Sequence, residues 1–268
     1  MALHALTIEP VVSLDDPRLD DYRDVRDERL RARGNAFAVE SREVVRRLLV
    51  ERTFRLRSVL TTERALDTFR DLLDDTTTVY LAPNDLIHGV VGLNFRRGCM
   101  GIAERGTPRT LDDLLISAPR TIVVCEQISN PDNVGGVFRN AMAFGAGAVV
   151  LSRGSADPLY RKVLRVSLGG SLRVPFAEQV PWPETLDRLR ADGFTIVALT
   201  TRDGADIATV ARPSRLALLV GTEGDGLTAE AIARADVRAT IPMVAGVDSL
   251  NVAVACGIAL HRLTATAS

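Results

Sequence analysis

Three short segments in the second half of the chain combine glycines with polar or charged side chains. The first, Ser129–Ala141, opens with an Asn-Pro turn and carries paired glycines that would let a helix N-terminus approach a bulky or anionic group. Arg139 follows Asn133 by six residues, so we expect it to emerge one turn into that helix, close to the loop. A turn followed by a surface arginine explains the same residues equally well.

The second segment, Leu219–Leu227, holds three glycines within six residues, directly after an apolar run. Residues without a side chain allow backbone to pack against a flat ligand. The segment lacks the GxGxxG pattern of dinucleotide-binding loops and the Lys-Ser/Thr pair of a P-loop, which excludes a standard phosphate-binding loop. Because a plain glycine-rich turn would not usually contain an acid, Glu223 favours a ligand-binding loop.

The third segment, Ile241–Ala255, leads into the last helix that the sequence predicts. Asp248 or Ser249 is suited to cap this helix, and Asn251 would then lie in its first turn. An amide in a first turn is unremarkable by itself. The helix is rich in small residues, which would let another element lie very close to it.

Strands and helices alternate around these segments. Apolar runs typical of buried parallel strands occupy Thr121–Cys125, Ala148–Leu151, Thr195–Leu199, Leu216–Val220 and Ala239–Ile241. Helices are predicted at Gly135–Phe144, Tyr160–Leu168, Pro183–Ala191, Ala229–Ala235 and Leu250–Leu263. This alternation predicts an open α/β sheet, which binds ligands beyond the carboxyl ends of its strands. We therefore expect the loops after the strands to carry the chemistry.

The first half of the chain predicts a second, smaller α/β domain. Its strands are predicted at Phe37–Val39, Ser58–Thr61 and Val79–Ala82. Its helices are predicted at Asp20–Arg33, from a cap at Ser41 to Val50, and at Glu63–Leu73. The small polar stretch Arg105–Pro108 contains a glycine and a proline and marks the boundary. The predicted domains are therefore residues 1–107 and 108–268.

Composition indicates a globular protein, with 46% hydrophobic and 25% charged residues and a net charge of -1. A nucleic-acid-binding surface would therefore have to come from local clustering of charge. All basic residues but Lys162 are arginines, which a GC-rich genome explains, although guanidinium groups also suit phosphates and stack on bases. The strongest basic cluster comprises Arg42, Arg46, Arg47, Arg52, Arg55 and Arg57. It predicts a patch that contacts RNA phosphates, and a solvated helix face fits the same residues equally well.

The cysteines and apolar runs exclude several other classes of protein. Cys99, Cys125 and Cys256 are scattered and show no CxxC spacing, so neither a disulfide framework nor a metal site is predicted. The first ten residues lack the pattern of a signal peptide. No apolar stretch reaches the roughly 18–20 residues of a membrane span. We expect a soluble, cytoplasmic protein.

The ordered set of polar and glycine positions closely resembles the three motifs of the SpoU (TrmH-type) branch of SPOUT RNA methyltransferases. The motif positions are Asn133 and Arg139, then Gly221-Thr222-Glu223 and Gly226-Leu227, then Ile241-Pro242-Met243 and Ser249-Leu250-Asn251. The resemblance covers about 150 residues at the C-terminus and is specific in order and spacing. The first hundred residues, including Phe37–Glu40 and Arg96–Ala103, resemble less closely that family's ribosomal-protein-L30e-like RNA-binding domain.

The resemblance implies an α/β fold with a C-terminal SPOUT domain, tied in a deep trefoil knot, after a smaller L30e-like domain. It implies a homodimer that uses S-adenosylmethionine, without a metal, to methylate RNA ribose 2′-hydroxyls. The implied donor contacts are Gly221, Ile241 and Leu250, with Met243 and Thr200 as lesser candidates. The implied polar active-site residues are Asn133, Arg139, Glu223, Ser249 and Asn251. Ala253 and Asp248 stand where the family often has Ser and Glu, and we expect neither to touch the chemistry.

The implied reaction is an in-line attack of the hydroxyl on the sulfonium methyl group, helped by positioning and proton removal. The family's usual proposal makes the arginine at position 139 the activating group. Since guanidinium stays protonated in proteins, we favour Arg139 as a phosphate anchor that stabilises developing oxyanion character. Asn133 and Asn251 would position the ribose or this arginine, and Glu223 would fix the loop. The sequence leaves both versions open.

The resemblance favours 23S ribosomal RNA over tRNA as the substrate, because members with an L30e-like front domain mostly act on the large-subunit RNA. An antibiotic-resistance role stays open. A non-catalytic RNA-binding protein with a methyltransferase-like fold is the main alternative, and the intact polar positions count against it. A nicotinamide-dependent oxidoreductase is disfavoured, because Gly145-Ala146-Gly147 precedes a strand instead of opening a helix.

Overall fold

The computed structural model describes residues 6–23, 25–92 and 98–264. The chain divides into two compact units. The first takes in the described residues up to Thr107 together with Leu159–Leu172, and the second takes in Pro108–Pro158 and the described residues from Arg173 onward.

The first unit is built on a mixed five-stranded sheet with the strand order β1-β4-β3-β5-β2. Its strands are β1 (Thr7–Pro10), β2 (Ala36–Glu40), β3 (Leu56–Thr61), β4 (Thr78–Leu81) and β5 (Cys99–Glu104). Its helices before Thr107 are α1 (Asp27–Gly34), α2 (Arg42–Glu51), α3 (Glu63–Leu66) and α4 (Asn84–Val91), with 3-10 turns at Pro17–Tyr22 and Arg70–Leu72. β1, β4 and β3 run parallel, whereas β5 is antiparallel to both of its neighbours. The predicted strands and the helix capped by Ser41 are confirmed.

Two helices predicted in this half are wrong in extent. The helix predicted at Asp20–Arg33 is divided, because the backbone at Arg23 and Arg26 is extended. The helix predicted at Glu63–Leu73 ends at Leu66 and gives way to a 3-10 turn. In both cases burial of apolar side chains outside the helices, such as Val25 and Phe69, outweighs the helical propensity of the charged residues around them.

The second unit holds a seven-stranded parallel sheet with the order β10-β12-β9-β11-β6-β7-β8. The strands are β6 (Thr121–Cys125), β7 (Ala148–Ser152), β8 (Phe176–Val180), β9 (Thr195–Leu199), β10 (Ala205–Asp206), β11 (Leu216–Val220) and β12 (Val237–Thr240). The helices of the second half are α5 (Leu111–Leu115), α6 (Pro131–Ala143), α7 (Arg161–Val166), α8 (Gly170–Arg173), α9 (Glu184–Ala191), α10 (Ala229–Ala233) and α11 (Val252–Leu263). Every residue of β6, β7 and β11 is buried, as a sheet covered on both faces requires.

All five predicted strands of this half are present, with β12 lying earlier than predicted. The prediction missed β8 and β10, which lie at the two edges of the sheet and do not form apolar runs. Two helix starts were also predicted wrongly. α6 begins at Pro131, before the paired glycines, because the Asn130 side chain accepts from the backbone of Asp132. α11 is capped by Asn251, and not by Asp248 or Ser249.

The first unit is completed by the later segment Leu159–Leu172, which includes α7. The backbone N–H of Arg161 donates to the Asp27 carboxylate at 3.3 and 3.4 Å, and its guanidinium donates to the Val25 carbonyl at 2.6 Å. Val163 and Leu164 are buried. The unit therefore draws on two separated stretches of chain. Within the described residues, no helix is both long and apolar enough to cross a membrane.

Candidate active site

A cavity of about 560 Å³ lies where β9, β11 and β12 end. Its walls come from the chain after each of these strands and from the start of α11, which is where ligands bind in sheets of this kind. All five residues predicted to contact a methyl donor line it: Thr200, Gly221, Ile241, Met243 and Leu250. Of the predicted polar residues, Glu223, Ser249 and Asn251 also line it.

One wall of the cavity is the segment Gly221–Leu227, which we call the glycine loop. A Cβ atom at Gly221 would lie 2.5 Å from the carbonyl carbon of Gly226, so the loop folds back on its own backbone there. The N–H of Gly226 donates to the carbonyl of Thr222 at 3.1 Å, which closes the turn. Gly224 and Gly226 have φ values of 87° and 71°, which favour glycine. The glycines are therefore required by the loop's own conformation, in addition to any ligand contact.

Asn251 joins the three polar segments of the sequence. Its Oδ1 accepts from the backbone N–H groups of Ala253 and Val254 at 2.9 and 3.3 Å, which caps α11. Its Nδ2 donates to Asn133 Oδ1 at 2.8 Å and to Glu223 Oε1 at 3.3 Å. Because two backbone donors fix the position of its oxygen, the Asn251 side chain presents its NH2 group to the other two residues.

Asn133 lies in the first turn of α6 and is 3% exposed. Its Oδ1 faces Asn251, which leaves its Nδ2 buried without a hydrogen-bond partner among the described residues. A buried donor without an acceptor costs roughly 1–3 kcal/mol. The side chain is held in this arrangement by the amide of Asn251, and an acceptor that reached Nδ2 would relieve the cost.

The structure does not bring Arg139 into the cavity. The residue is exposed and lies in the third turn of α6, so the expectation that it emerges one turn into the helix is wrong. The earlier start of the helix at Pro131 explains the difference. Within the described part of the chain, the Arg139 side chain makes no hydrogen bond or ion pair, which leaves its guanidinium available to a ligand from outside.

Helix α6 is placed by close packing against α11. A Cβ atom at Gly136 would lie 2.5 Å from that of Ala253, and one at Gly257 would lie 3.0 Å from Asn140 Oδ1. The Asn140 side chain also donates to the carbonyl of Ala253 at 2.6 Å. The prediction that small residues on the last helix permit a close neighbour is confirmed. This contact holds Asn133 and Asn251 within hydrogen-bonding distance.

Four further charged residues line the cavity, and none of them was a predicted site residue: Arg202, Asp203, Asp225 and Arg238. They belong to no motif and are exposed, as most charged residues are. In the described ranges, no three His, Cys, Asp or Glu side chains gather so that they could hold a metal ion. The three cysteines are buried, and burial raises the pKa of Cys256 to about 12, so its thiol is protonated at neutral pH.

The predicted basic patch lies in the first unit, and half of it is neutralised by neighbouring acids. Arg42 pairs with Glu43 at 3.0 Å, and Arg55 and Arg57 both lie within 3.7 Å of Glu104. Arg47 lies beside Gly169. Arg46 and Arg52 are exposed and form no ion pair with another described residue. Arg96 and Arg97, which belong to the resemblance of the front domain, lie outside the described residues.

The parallel sheet carries a cavity at the carboxyl ends of its strands, with a glycine loop as one wall and linked amide and carboxylate groups beside it. These features are typical of a domain that binds a small cofactor. Residues 120–261 match the model of the SpoU rRNA Methylase family. The chain is 39% identical to an uncharacterized tRNA/rRNA methyltransferase of Mycobacterium bovis, over 97% of this chain and 92% of that protein. The chain therefore belongs to the SpoU family of RNA methyltransferases.

Two further proteins are also similar to this chain over more than nine tenths of its length. The 23S rRNA guanosine 2′-O-methyltransferase RlmP of Bacillus subtilis is 25% identical, over 96% of this chain and 99% of that protein. The crystal structure of the SpoU methyltransferase AviRb from Streptomyces viridochromogenes, in complex with the cofactor AdoMet, superimposes with a TM-score of 0.78. The identity is 25%, with 92% of this chain and 97% of that chain covered.

Proposed function

We propose that this SpoU-family enzyme methylates ribose 2′-hydroxyl groups of 23S ribosomal RNA in the cytoplasm, with S-adenosylmethionine as the methyl donor. The observation that carries the proposal is the Asn251 side chain, which joins Asn133 and Glu223 beside a cavity of suitable size. Cavities of roughly 300–1,000 Å³ are typical for cofactors of this kind.

The cavity suits the donor in shape and chemistry. The backbone of the glycine loop forms one wall, and Ile241, Met243 and Leu250 supply apolar surface for a flat base. The exposed charges of Arg202 and Asp203 at the cavity would face the charged amino-acid end. Bound there, S-adenosylmethionine supplies an electrophilic methyl group on a positively charged sulfur.

Arg139 is proposed to act on the RNA. Its guanidinium is exposed and unpaired in the described part of the chain, and this fork-shaped group binds phosphate through two hydrogen bonds. Held on the target phosphate, it would orient the ribose and stabilise negative charge that develops on the 2′-oxygen. Asn133 and Asn251 would hold the ribose side of the site, and Glu223 would keep the glycine loop in place. Proton loss to a phosphate oxygen or water completes the step.

Ribosomal RNA is favoured as the substrate because a 23S rRNA methyltransferase is similar to this chain over 99% of its own length. The similarity therefore includes the front half, where the substrate would be selected. We propose that residues 1–107 form an L30e-like RNA-binding domain and that residues 108–268 form the catalytic domain. A tRNA substrate is the alternative, since the Mycobacterium bovis relative is described as a tRNA/rRNA methyltransferase.

The enzyme is proposed to be a homodimer with a knotted C-terminus. Helix α11 contacts both α6 and β11, which fits a chain end threaded back into the sheet. Val254 and Ile258 lie one turn apart on α11 and are 52% and 40% exposed. Exposed apolar side chains grouped in this way are typical of a subunit interface. Sedimentation of the purified protein tests the assembly.

The test of the proposed function maps 2′-O-methylation on total RNA from a strain that lacks the gene and from its parent. The proposal expects one ribose methyl group to disappear from 23S rRNA and to return when purified enzyme and S-adenosylmethionine are added to that RNA. Loss of a methyl group from tRNA alone would show that the substrate is tRNA and not 23S rRNA. Failure of the purified protein to bind the donor in calorimetry would support the non-catalytic alternative.

A further inference from the structure

Glu126 is a buried acid that no motif includes. It follows β6 directly, is 1% exposed, and belongs to the second unit. Its Oε1 accepts from Trp182 Nε1 at 2.6 Å and from Thr228 Oγ1 at 2.7 Å, and its Oε2 accepts from the Thr228 N–H at 2.9 Å. Burying a carboxylate costs free energy unless it is hydrogen-bonded, and these three hydrogen bonds offset that cost.

The partners of Glu126 lie at both ends of the glycine loop. The backbone N–H of Glu126 donates to the carbonyl of Val220 at 2.9 Å, just before the loop begins. Its carboxylate holds the N–H and the hydroxyl of Thr228, just after the loop ends. One residue therefore fixes the entry and the exit of the loop that forms a wall of the cavity.

Thr228 passes this constraint on to the next element. While its hydroxyl donates to Glu126, its oxygen accepts from the N–H of Ala231 at 3.2 Å and caps α10. The neighbouring Leu227 lines the cavity and packs against the same hydrophobic core as Trp182. The exit of the loop is thus held by a cap, a carboxylate and an apolar anchor.

We infer that Glu126 is a positioning residue for the methyl donor, which it serves by holding the glycine loop at both ends. The inference rests on the proposed function, in which this cavity binds S-adenosylmethionine. Glu126 touches neither donor nor RNA. Its loss should therefore weaken donor binding through the loop and leave the chemical step on bound substrates nearly intact.

The test compares four variants of the full-length enzyme. Glu126→Gln keeps the size but turns an NH2 group toward donors. Thr228→Val removes the hydroxyl that both donates to Glu126 and caps α10. Thr228→Ser restores the hydroxyl. Trp182→Phe is the matched control, because it removes a hydrogen bond from the same carboxylate but leaves both loop contacts in place.

Steady-state kinetics separate the KM for the donor from turnover. The KM for S-adenosylmethionine should rise about tenfold in Glu126→Gln, the scale of one lost hydrogen bond to a charged group, with kcat within about threefold. Thr228→Val should raise KM in the same direction, and Thr228→Ser and Trp182→Phe should stay near the wild type. If Glu126→Gln fails to fold, the comparison of Thr228→Val with Thr228→Ser decides the question.

Hydrogen exchange without any ligand tests the positioning independently of the reaction. The peptide spanning residues 221–228 should exchange faster in Glu126→Gln and Thr228→Val than in Trp182→Phe. A wild-type protein that exchanges as expected but methylates no RNA would overturn the proposed function and leave the loop assignment standing. The inference would be overturned if Glu126→Gln and Thr228→Val lowered thermal stability but had the same KM for the donor and the same loop exchange as Trp182→Phe.

Discussion

At the scale of single residues, Arg139 differs from the other polar residues of the site because its side chain neither lines the cavity nor hydrogen-bonds to a described residue that does. Arg139→Ala should therefore leave donor affinity unchanged and lower turnover by about a hundredfold or more, the scale of a lost transition-state contact. Arg139→Lys should rescue only partly, because it keeps the charge but loses the two-pronged contact with phosphate. Single-turnover rates across pH measure both. Strong rescue by lysine would favour proton abstraction, and normal turnover in the alanine variant would rule out a catalytic role.

Asn251 has two separable functions, the cap of α11 and the NH2 contact with Asn133 and Glu223. Asn251→Ala should lose both and cost about 1 kcal/mol of stability. Asn251→Asp keeps a capping oxygen, so it should unfold near the wild-type denaturant concentration yet turn over about tenfold more slowly. Urea unfolding and rates on cognate RNA measure the two functions. Equal turnover in Asn251→Asp and the wild type would leave Asn251 with a capping role alone.

Gly221 is constrained by the backbone of its own loop as well as by the expected contact with the donor. From the sequence, a valine at this position would be expected to crowd the donor directly. The structure shows that even the first side-chain carbon would collide with the loop backbone. Gly221→Ala should therefore already lower donor affinity by about tenfold or more, by displacing the loop. Calorimetry with S-adenosylhomocysteine checks this, and unchanged affinity would contradict the placement of the donor.

At the scale of elements, the close contact between α6 and α11 depends on Gly136, which has no side chain. Gly136→Ala would place two methyl groups 2.5 Å apart, and we expect it to cost roughly 1–3 kcal/mol by overpacking. Adding Ala253→Gly should restore part of that loss, beyond what the two single variants predict together. A double-mutant cycle from urea unfolding measures the coupling. Purely additive effects would show that the two helices do not meet there.

The strands were predictable because burial on both faces makes their apolar runs continuous, as in Leu216–Val220. Helix starts were less predictable, because several residues before α11 could cap it. Asn251 caps the helix in place of Ser249 because its side chain also contacts Asn133 and Glu223, which are distant in the sequence. The family motifs predicted residues that line the cavity and polar residues that are linked to it. The role of Glu126 could not be predicted, because it depends on Trp182 and Thr228, which are distant in the sequence.

At the scale of the whole molecule, RNA binding should depend on arginines that acids do not already hold. Arg46→Gln and Arg52→Gln should each weaken RNA binding and lower the magnitude of the salt dependence of log K by about 1. Arg55→Gln is the matched control, because its partner Glu104 already offsets its charge. Filter binding at several salt concentrations gives the slopes. A larger effect of Arg55→Gln than of Arg46→Gln would move the RNA surface elsewhere.

The completion of the first unit by Leu159–Leu172 has a consequence for the order of events during synthesis. Residues up to Thr107 leave the ribosome before the segment that buries Val163 and Leu164 has been made. Domains generally fold as units in the order of synthesis, and here the first unit must wait while much of the second emerges. The partly buried polar contacts of Arg161 with Asp27 and Val25 can form only then. The first half of the chain therefore reaches its final form only after residues 159–172 have been made, and cutting the chain after Thr107 would leave it incomplete.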